Sequence, residues 1–71
     1  MNTREAIREG RKLDRKCVGY ARETARALGV SYIEAVRLMA KDADLAARGL
    51  SMSTLFVAAW CDGEIRRAGL G

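Results

Sequence analysis

The chain has 71 residues, 49% of them hydrophobic and 31% charged, and carries a formal net charge of +4 at pH 7. This composition is too apolar for a disordered chain, and it lacks the run of about 20 apolar residues that a membrane span needs. Histidine is absent, and neither cysteine has the spacing of a metal or redox motif, so we expect one domain over residues 1–71 without enzymatic activity, cofactor or small-molecule substrate.

Positive charge is concentrated at one end of the chain. The first thirty residues contain eight basic and four acidic side chains, whereas the remaining residues contain five of each. Such a segment suggests association with a macromolecule. Its charges either form a ridge that contacts phosphates or neutralise each other locally, through pairs such as Glu5 with Arg8 and Glu9 with Lys12.

Location is predicted from the same segment. Arg4, Glu5 and Arg8 occupy the stretch where a signal peptide has its apolar block. We therefore expect a cytoplasmic protein that does not contact a membrane. In that compartment Cys17 and Cys61 are expected to be reduced and to pack as small apolar side chains.

The sequence predicts an all-α domain with three helices, at approximately residues 3–28, 31–48 and 52–68. Asn2 is the expected cap of the first helix and Gly29 its terminator. Gly19 lies inside that helix, and a break there would give a four-helix arrangement. Ser31 opens the second helix with a capping box, and Ser51 or Ser53 opens the third.

The second and third helices carry the apolar surface. The candidate core or dimer positions are Ile33, Val36, Ala40, Ala43, Met52, Leu55, Phe56 and Ala59. Residues 55–61 are apolar on every side of a helix, and a short chain with two other helices offers little to cover them. We therefore expect a symmetric homodimer that associates through these two helices.

The junction between the first two helices resembles a helix-turn-helix at four positions, Ala25, Gly29, Val30 and Ser31. The resemblance implies a second helix that enters the major groove of DNA. That helix opens with Tyr32 and Glu34, however, which are poor groups for reading bases. A plain helical hairpin explains the same turn.

These observations favour a non-catalytic protein-binding module, an adaptor or inhibitor, with Arg22, Tyr32, Arg37 and Trp60 as candidate partner-binding anchors. Its size and helical make-up are similar to those of small accessory proteins of phages and mobile elements, which would make a host regulator a possible target. The alternative is a dimeric helix-turn-helix transcriptional regulator. Its nucleic-acid contacts would be Arg11, Arg15, Arg22, Arg26, Arg37 and Lys41. A third possibility is a small assembly subunit without a ligand.

Overall fold

The computed structural model describes residues 2–69, and these residues form four α-helices and no strand. The helices are α1 (Thr3–Leu28), α2 (Tyr32–Lys41), α3 (Ala43–Leu50) and α4 (Thr54–Arg67). The all-α prediction is confirmed. None of the helices within residues 2–69 combines the length and apolar character needed to cross a membrane.

Helix α1 is continuous over 26 residues. The Asn2 side chain caps it by accepting a 2.9 Å hydrogen bond from the first turn, and Gly29 ends it in the left-handed conformation at φ 67°. The helix expected over residues 3–28 is found, and the alternative of a break at Gly19 does not occur. A helical glycine costs up to about 1 kcal/mol, and the complete burial of Cys17 and Ala21 on either side offsets that cost.

The predicted second helix, residues 31–48, is two helices with a corner at Asp42. The backbone of Asp42 leaves the helical region at φ −134° and ψ 70°, and its carboxylate accepts a 3.2 Å hydrogen bond from the Leu45 amide. An aspartate side chain that satisfies the first amides of a new helix competes with continuation of the old one. The Thr54 hydroxyl donates a 2.8 Å hydrogen bond to Asp44, which ties the start of α3 to the start of α4.

The junction between α3 and α4 is made by two serines. Ser51 ends α3 in the left-handed conformation at φ 53°, and the Ser53 hydroxyl caps α4. Gly49 lies in the last turn of α3, at the point where α3 approaches α1. A Cβ atom at Gly49 would lie 2.9 Å from the Tyr20 ring.

The core is shared by all four helices. Its buried side chains are Cys17, Ala21, Val36, Met39, Ala46, Ala47, Leu50, Val57, Trp60 and Cys61. Because of the corner at Asp42, α3 folds back onto α4, and α4 contacts α1, α2 and α3. Helices of the same chain therefore pack against α4 on several sides. The argument that α4 needs a second protomer to bury its apolar residues no longer holds.

The first turns of α1 project from this bundle. Residues 3–9 are exposed on every side of the helix, and the first fully buried side chain of α1 is Cys17. A helix of this length measures about 39 Å, and the longest dimension of the molecule is 40 Å. The long axis of the protein is therefore set by α1, with its basic end free of the other helices.

Candidate binding surfaces

An apolar groove of about 230 Å³ lies between α1, α2 and α3. We call it the leucine groove; its lining residues are Tyr20, Thr24, Leu28, Leu38, Met39, Asp42, Leu45 and Ala46. The predicted arrangement, in which residues 31–48 form one continuous helix, would not contain this groove. The groove exists because the corner at Asp42 turns α3 away from the direction of α2.

Three leucines surround the groove and remain in solvent. Leu28 is 58% exposed, Leu38 is 39% exposed and Leu45 is 60% exposed, whereas Met39 at its base is 4% exposed. Isolated exposed leucines are ordinary, and three around one concavity make it a candidate interaction site. The groove was missed at the sequence level. The sequence does contain a hint of the groove: Leu38 and Leu45 are large apolar residues that do not belong to the predicted core positions, which include Ile33 and Val36.

A second surface is a line of arginines along α1, which we call the arginine stripe. It contains Arg4, Arg8, Arg11, Arg15, Arg22 and Arg26, all of them exposed. At about 100° of rotation per residue, the six positions fall within an arc of about 60°. The α1 residues of the leucine groove, Tyr20, Thr24 and Leu28, are centred about 170° away on the same scale. The two surfaces therefore lie on opposite sides of α1.

The carboxylates of α1 lie too far around the helix to neutralise most of the positive charge of the arginine stripe. Glu5, Glu9, Asp14 and Glu23 are each turned by about 90° or more from the centre of the stripe. The ion pairs within residues 2–69 are Glu23–Arg26 at 3.4 Å, Glu34–Arg37 at 3.8 Å, Asp62–Arg66 at 2.9 Å and Glu64–Arg67. Arg26 is the one arginine of the stripe that takes part in these ion pairs. The expected local pairing of Glu5 with Arg8 and of Glu9 with Lys12 is not found in this part of the chain.

The predicted partner-binding residues lie at different depths. Trp60 is only 8% exposed, and its indole N–H donates a 2.7 Å hydrogen bond to Asp14, so its ring belongs to the core. Tyr32 is half-buried against the core, and Arg22 is exposed. Arg37 pairs with its neighbour Glu34 across an exposed face of α2.

Tyr32 lies within a polar cluster that joins α1, α2 and α4. Burial raises the pKa of its hydroxyl, and the negative charges of Glu64 and Asp14 add to this effect, while Arg22 and Arg67 oppose it. Tyr32 is thus neutral at physiological pH, and the cluster resembles a structural network more than a reactive site.

The predicted nucleic-acid contacts divide into two groups. Arg11, Arg15, Arg22 and Arg26 belong to the arginine stripe, whereas Arg37 and Lys41 are exposed on α2. Helix α2 contacts the three other helices, and the side that remains exposed contains Glu34, Arg37, Leu38, Ala40 and Lys41. The helix-turn-helix arrangement stays a prediction.

The predicted core or dimer residues also divide. Val36 is fully buried, and Ile33, Ala43, Met52 and Phe56 are half-buried against the core. The remaining three, Ala40, Leu55 and Ala59, are exposed, Leu55 to 84%. Most of these side chains therefore pack within one copy of the chain, and the oligomeric state stays a prediction.

The two cysteines are buried and free. The Cys17 thiol donates to the Met52 sulfur at 3.7 Å. Burial, with the nearby charge of Asp14, raises the pKa of Cys17 to about 11, and burial, with Cys17 as a neighbour, raises the pKa of Cys61 to about 11. Thiols of this kind are poor nucleophiles at neutral pH. Residues 2–69 contain no group of three or more potential metal-ligating side chains.

Comparisons with protein-family models, with curated proteins and with solved structures returned no match.

Proposed function

We propose that the protein is a non-catalytic protein-binding module, an adaptor or inhibitor, that receives an amphipathic helix of another protein in the leucine groove. The observation that carries this proposal is the convergence of Leu28, Leu38 and Leu45 from three helices on one concavity. A groove between helices with apolar walls suits the helix-in-groove mode, in which anchors spaced three or four residues apart fill the floor.

The exposed leucine surface is large enough to matter energetically. Full burial of a leucine side chain contributes about 1.5–3 kcal/mol. Applied to the exposed fractions of the three leucines, 58%, 39% and 60%, this scale gives about 2–5 kcal/mol. A micromolar complex requires about 8 kcal/mol net. The apolar anchors of the partner helix must supply the remainder and offset the cost of association.

Charge-bearing substitutions in the leucine groove test the proposal. The double variant Leu28→Lys and Leu45→Lys places two ammonium groups where the partner helix would pack. Leu55→Lys is the matched control, because Leu55 is 84% exposed on α4 and does not line the groove. Each protein is used to capture partners from a nuclease-treated lysate of the cells that naturally produce it. The captured proteins are identified by mass spectrometry.

We expect at least one protein to be retained by the wild-type chain and by the Leu55→Lys control and to be lost from the double variant. Identical captured proteins on all three baits would contradict the proposal. Sedimentation velocity of the three purified proteins tests the other possible occupant of the groove, a second copy of the chain. A dimer that dissociates in the double variant alone would assign the groove to a second copy of the chain and remove the heterologous partner.

The alternative function, a helix-turn-helix transcriptional regulator, has less support. Its reading helix would be α2, which packs against three helices and presents a Glu34–Arg37 ion pair on its free side. Direct readout needs unpaired Arg, Asn, Gln or Lys side chains at the base edges. Sequence-specific protection of a DNA site that is abolished by Arg37→Ala and Lys41→Ala would favour this alternative.

A further inference from the structure

We propose that the arginine stripe of α1 is a second and independent binding surface, which holds the phosphate backbone of a nucleic-acid duplex. It does not use the leucine groove, because the two surfaces lie on opposite sides of α1. The protein would then bridge a protein partner and a nucleic acid. Four observations carry the inference: the dimensions of the stripe, its residue type, its lack of neutralising charge and its small apolar content.

The dimensions of the stripe match a duplex. From Arg4 to Arg26 the helix rises about 33 Å, which is close to one turn of B-form DNA at about 34–36 Å. A duplex carries one negative charge for every 1.7 Å or so of its axis, so roughly 20 phosphates lie along this length. Residues 3–9 are exposed on every side, and the duplex can approach this end of the stripe, with Arg4 and Arg8, without meeting the other helices.

The residue type suits phosphate. All six arginines of α1 are on the stripe, whereas its two lysines, Lys12 and Lys16, fall outside the arc. The planar guanidinium group donates two parallel hydrogen bonds to phosphate oxygens and is desolvated more easily than an ammonium group. A helix that needed positive charge only for solubility would have no reason to separate the two residue types.

The charge of the stripe is available to a ligand. Within residues 2–69, Arg4, Arg8, Arg11, Arg15 and Arg22 have no carboxylate within ion-pair distance. Like charges three and four residues apart on a helix destabilise it by tenths of a kcal/mol for each pair. Polyanion binding removes this repulsion, so the stripe is more stable when it is bound.

An acidic protein surface fits the stripe less well than a duplex does. Protein interfaces have an apolar, largely uncharged centre that is surrounded by a polar rim. One large apolar side chain, Ile7, lies beside the stripe: it is 51% exposed and lines a shallow concavity together with Arg4, Arg8, Arg11 and Arg15. Between Arg15 and Arg22 the stripe has no large apolar side chain at its centre, because Val18 at its edge packs against the core. A single isoleucine among four arginines is a small apolar centre for a protein interface. Nucleic-acid interfaces are polar and strongly positive throughout. The composition of the stripe therefore favours phosphate.

The experiment measures binding to a 20-base-pair DNA duplex by fluorescence anisotropy across a salt series. Each phosphate contact contributes about −0.9 to the slope of log K against log salt, so contacts from all six arginines give a slope of about −5. The variant Arg11→Gln and Arg15→Gln should lower the magnitude of the slope by about 2 and weaken binding by about 50-fold at 0.1 M salt.

Lys12→Gln and Lys16→Gln form the matched control, because this variant loses the same charge from the same turns of α1 but outside the stripe. We expect its slope to change by less than half a unit. Glutamine has a helix propensity close to those of arginine and lysine, so both variants should keep their helices, which circular dichroism checks. Equal losses in the two double variants would reduce the effect to net charge and overturn the proposal.

Two further arms identify the ligand. An RNA duplex of the same sequence tests whether the stripe distinguishes the two kinds of backbone, and binding to either duplex supports the proposal. Poly-glutamate supplies carboxylates without phosphate. A preference for a duplex of at least tenfold over poly-glutamate of equal total charge is the expected result. A smaller preference, or no binding of either duplex at 50 mM salt, would overturn the proposal.

Discussion

Replacing Trp60 by phenylalanine is expected to lower the free energy of unfolding by about 2.5–4 kcal/mol. The indole N–H donates a 2.7 Å hydrogen bond to the Asp14 carboxylate, and the ring is 8% exposed. A hydrogen bond to a charged group contributes about 1.5–3 kcal/mol, and the smaller ring adds about 1 kcal/mol through lost packing. A chain of this length has a total stability of roughly 4–11 kcal/mol, so the variant should melt at least 10 °C lower.

The hydrogen bond is separated from ring packing by a double-mutant cycle with Asp14→Ala. Removal of the carboxylate leaves the indole N–H without its partner, and the half-exposed position of Asp14 admits some compensating water. We expect a coupling free energy of about 1–2 kcal/mol between the two substitutions. Asp62→Ala is the matched control, because Asp62 makes an exposed ion pair with Arg66 at 2.9 Å. Such pairs contribute about 0.3–0.5 kcal/mol.

The assay is urea unfolding followed by far-UV circular dichroism, since the wild-type fluorescence probe is lost with Trp60. The slope of the free energy against urea should stay the same in all variants, because the same surface is exposed on unfolding. Two results would refute the conclusion that the Trp60–Asp14 hydrogen bond stabilises the contact between α1 and α4. One is a loss of unfolding free energy in Asp14→Ala no greater than that in Asp62→Ala, and the other is a coupling free energy near zero.

Other substitutions test the remaining features of the fold. Gly19→Ala, with open space around it, should stabilise the protein by up to about 1 kcal/mol in the same urea assay, whereas Gly49→Ala should be about 1–2 kcal/mol less favourable than Gly19→Ala because the new methyl group meets the end of the Tyr20 ring at 2.9 Å. Asp42→Ala should cost about 1 kcal/mol through loss of the α3 cap; a cost no larger than that of Lys41→Ala would contradict this role. Because burial raises the pKa values of Cys17 and Cys61 from 9.0 to about 11, the neutral thiols are favoured in the folded state. The contribution of the two thiols to stability should therefore be constant up to about pH 9 and should be lost as the pH rises towards 11, and native thiols should react with iodoacetamide far more slowly than those of the urea-unfolded chain.

Local signals in the sequence predict both ends of α1 and the start of α2 correctly. Asn2 and Ser31 cap α1 and α2, and Gly29 supplies the left-handed residue between them, as the spacing of polar and glycine residues indicates. Each of these features depends on hydrogen bonds to amides within a few residues, so no tertiary information is needed.

The corner at Asp42 shows why the rest of the fold was not predicted. An aspartate within an apolar helical pattern is compatible with an exposed position on a continuous helix and with a cap at a corner, and the pattern alone does not separate the two. The corner is decided by long-range contacts, namely the Thr54–Asp44 hydrogen bond and the packing of α3 on α4. The leucine groove depends on that corner, so it was missed for the same reason.

The continuity of α1 has the largest consequence for function. A break at Gly19 would have divided the arginine stripe into two unrelated groups, with Arg22 and Arg26 turned away from Arg15. An unbroken helix keeps a constant rotation of about 100° per residue, and the spacings of three, four and seven between the arginines then return them to one side. The same constant rotation places Leu28 on the other side, at the edge of the leucine groove. One rigid helix therefore fixes the relative orientation of the two proposed surfaces, and a partner bound to one of them is held clear of a ligand bound to the other.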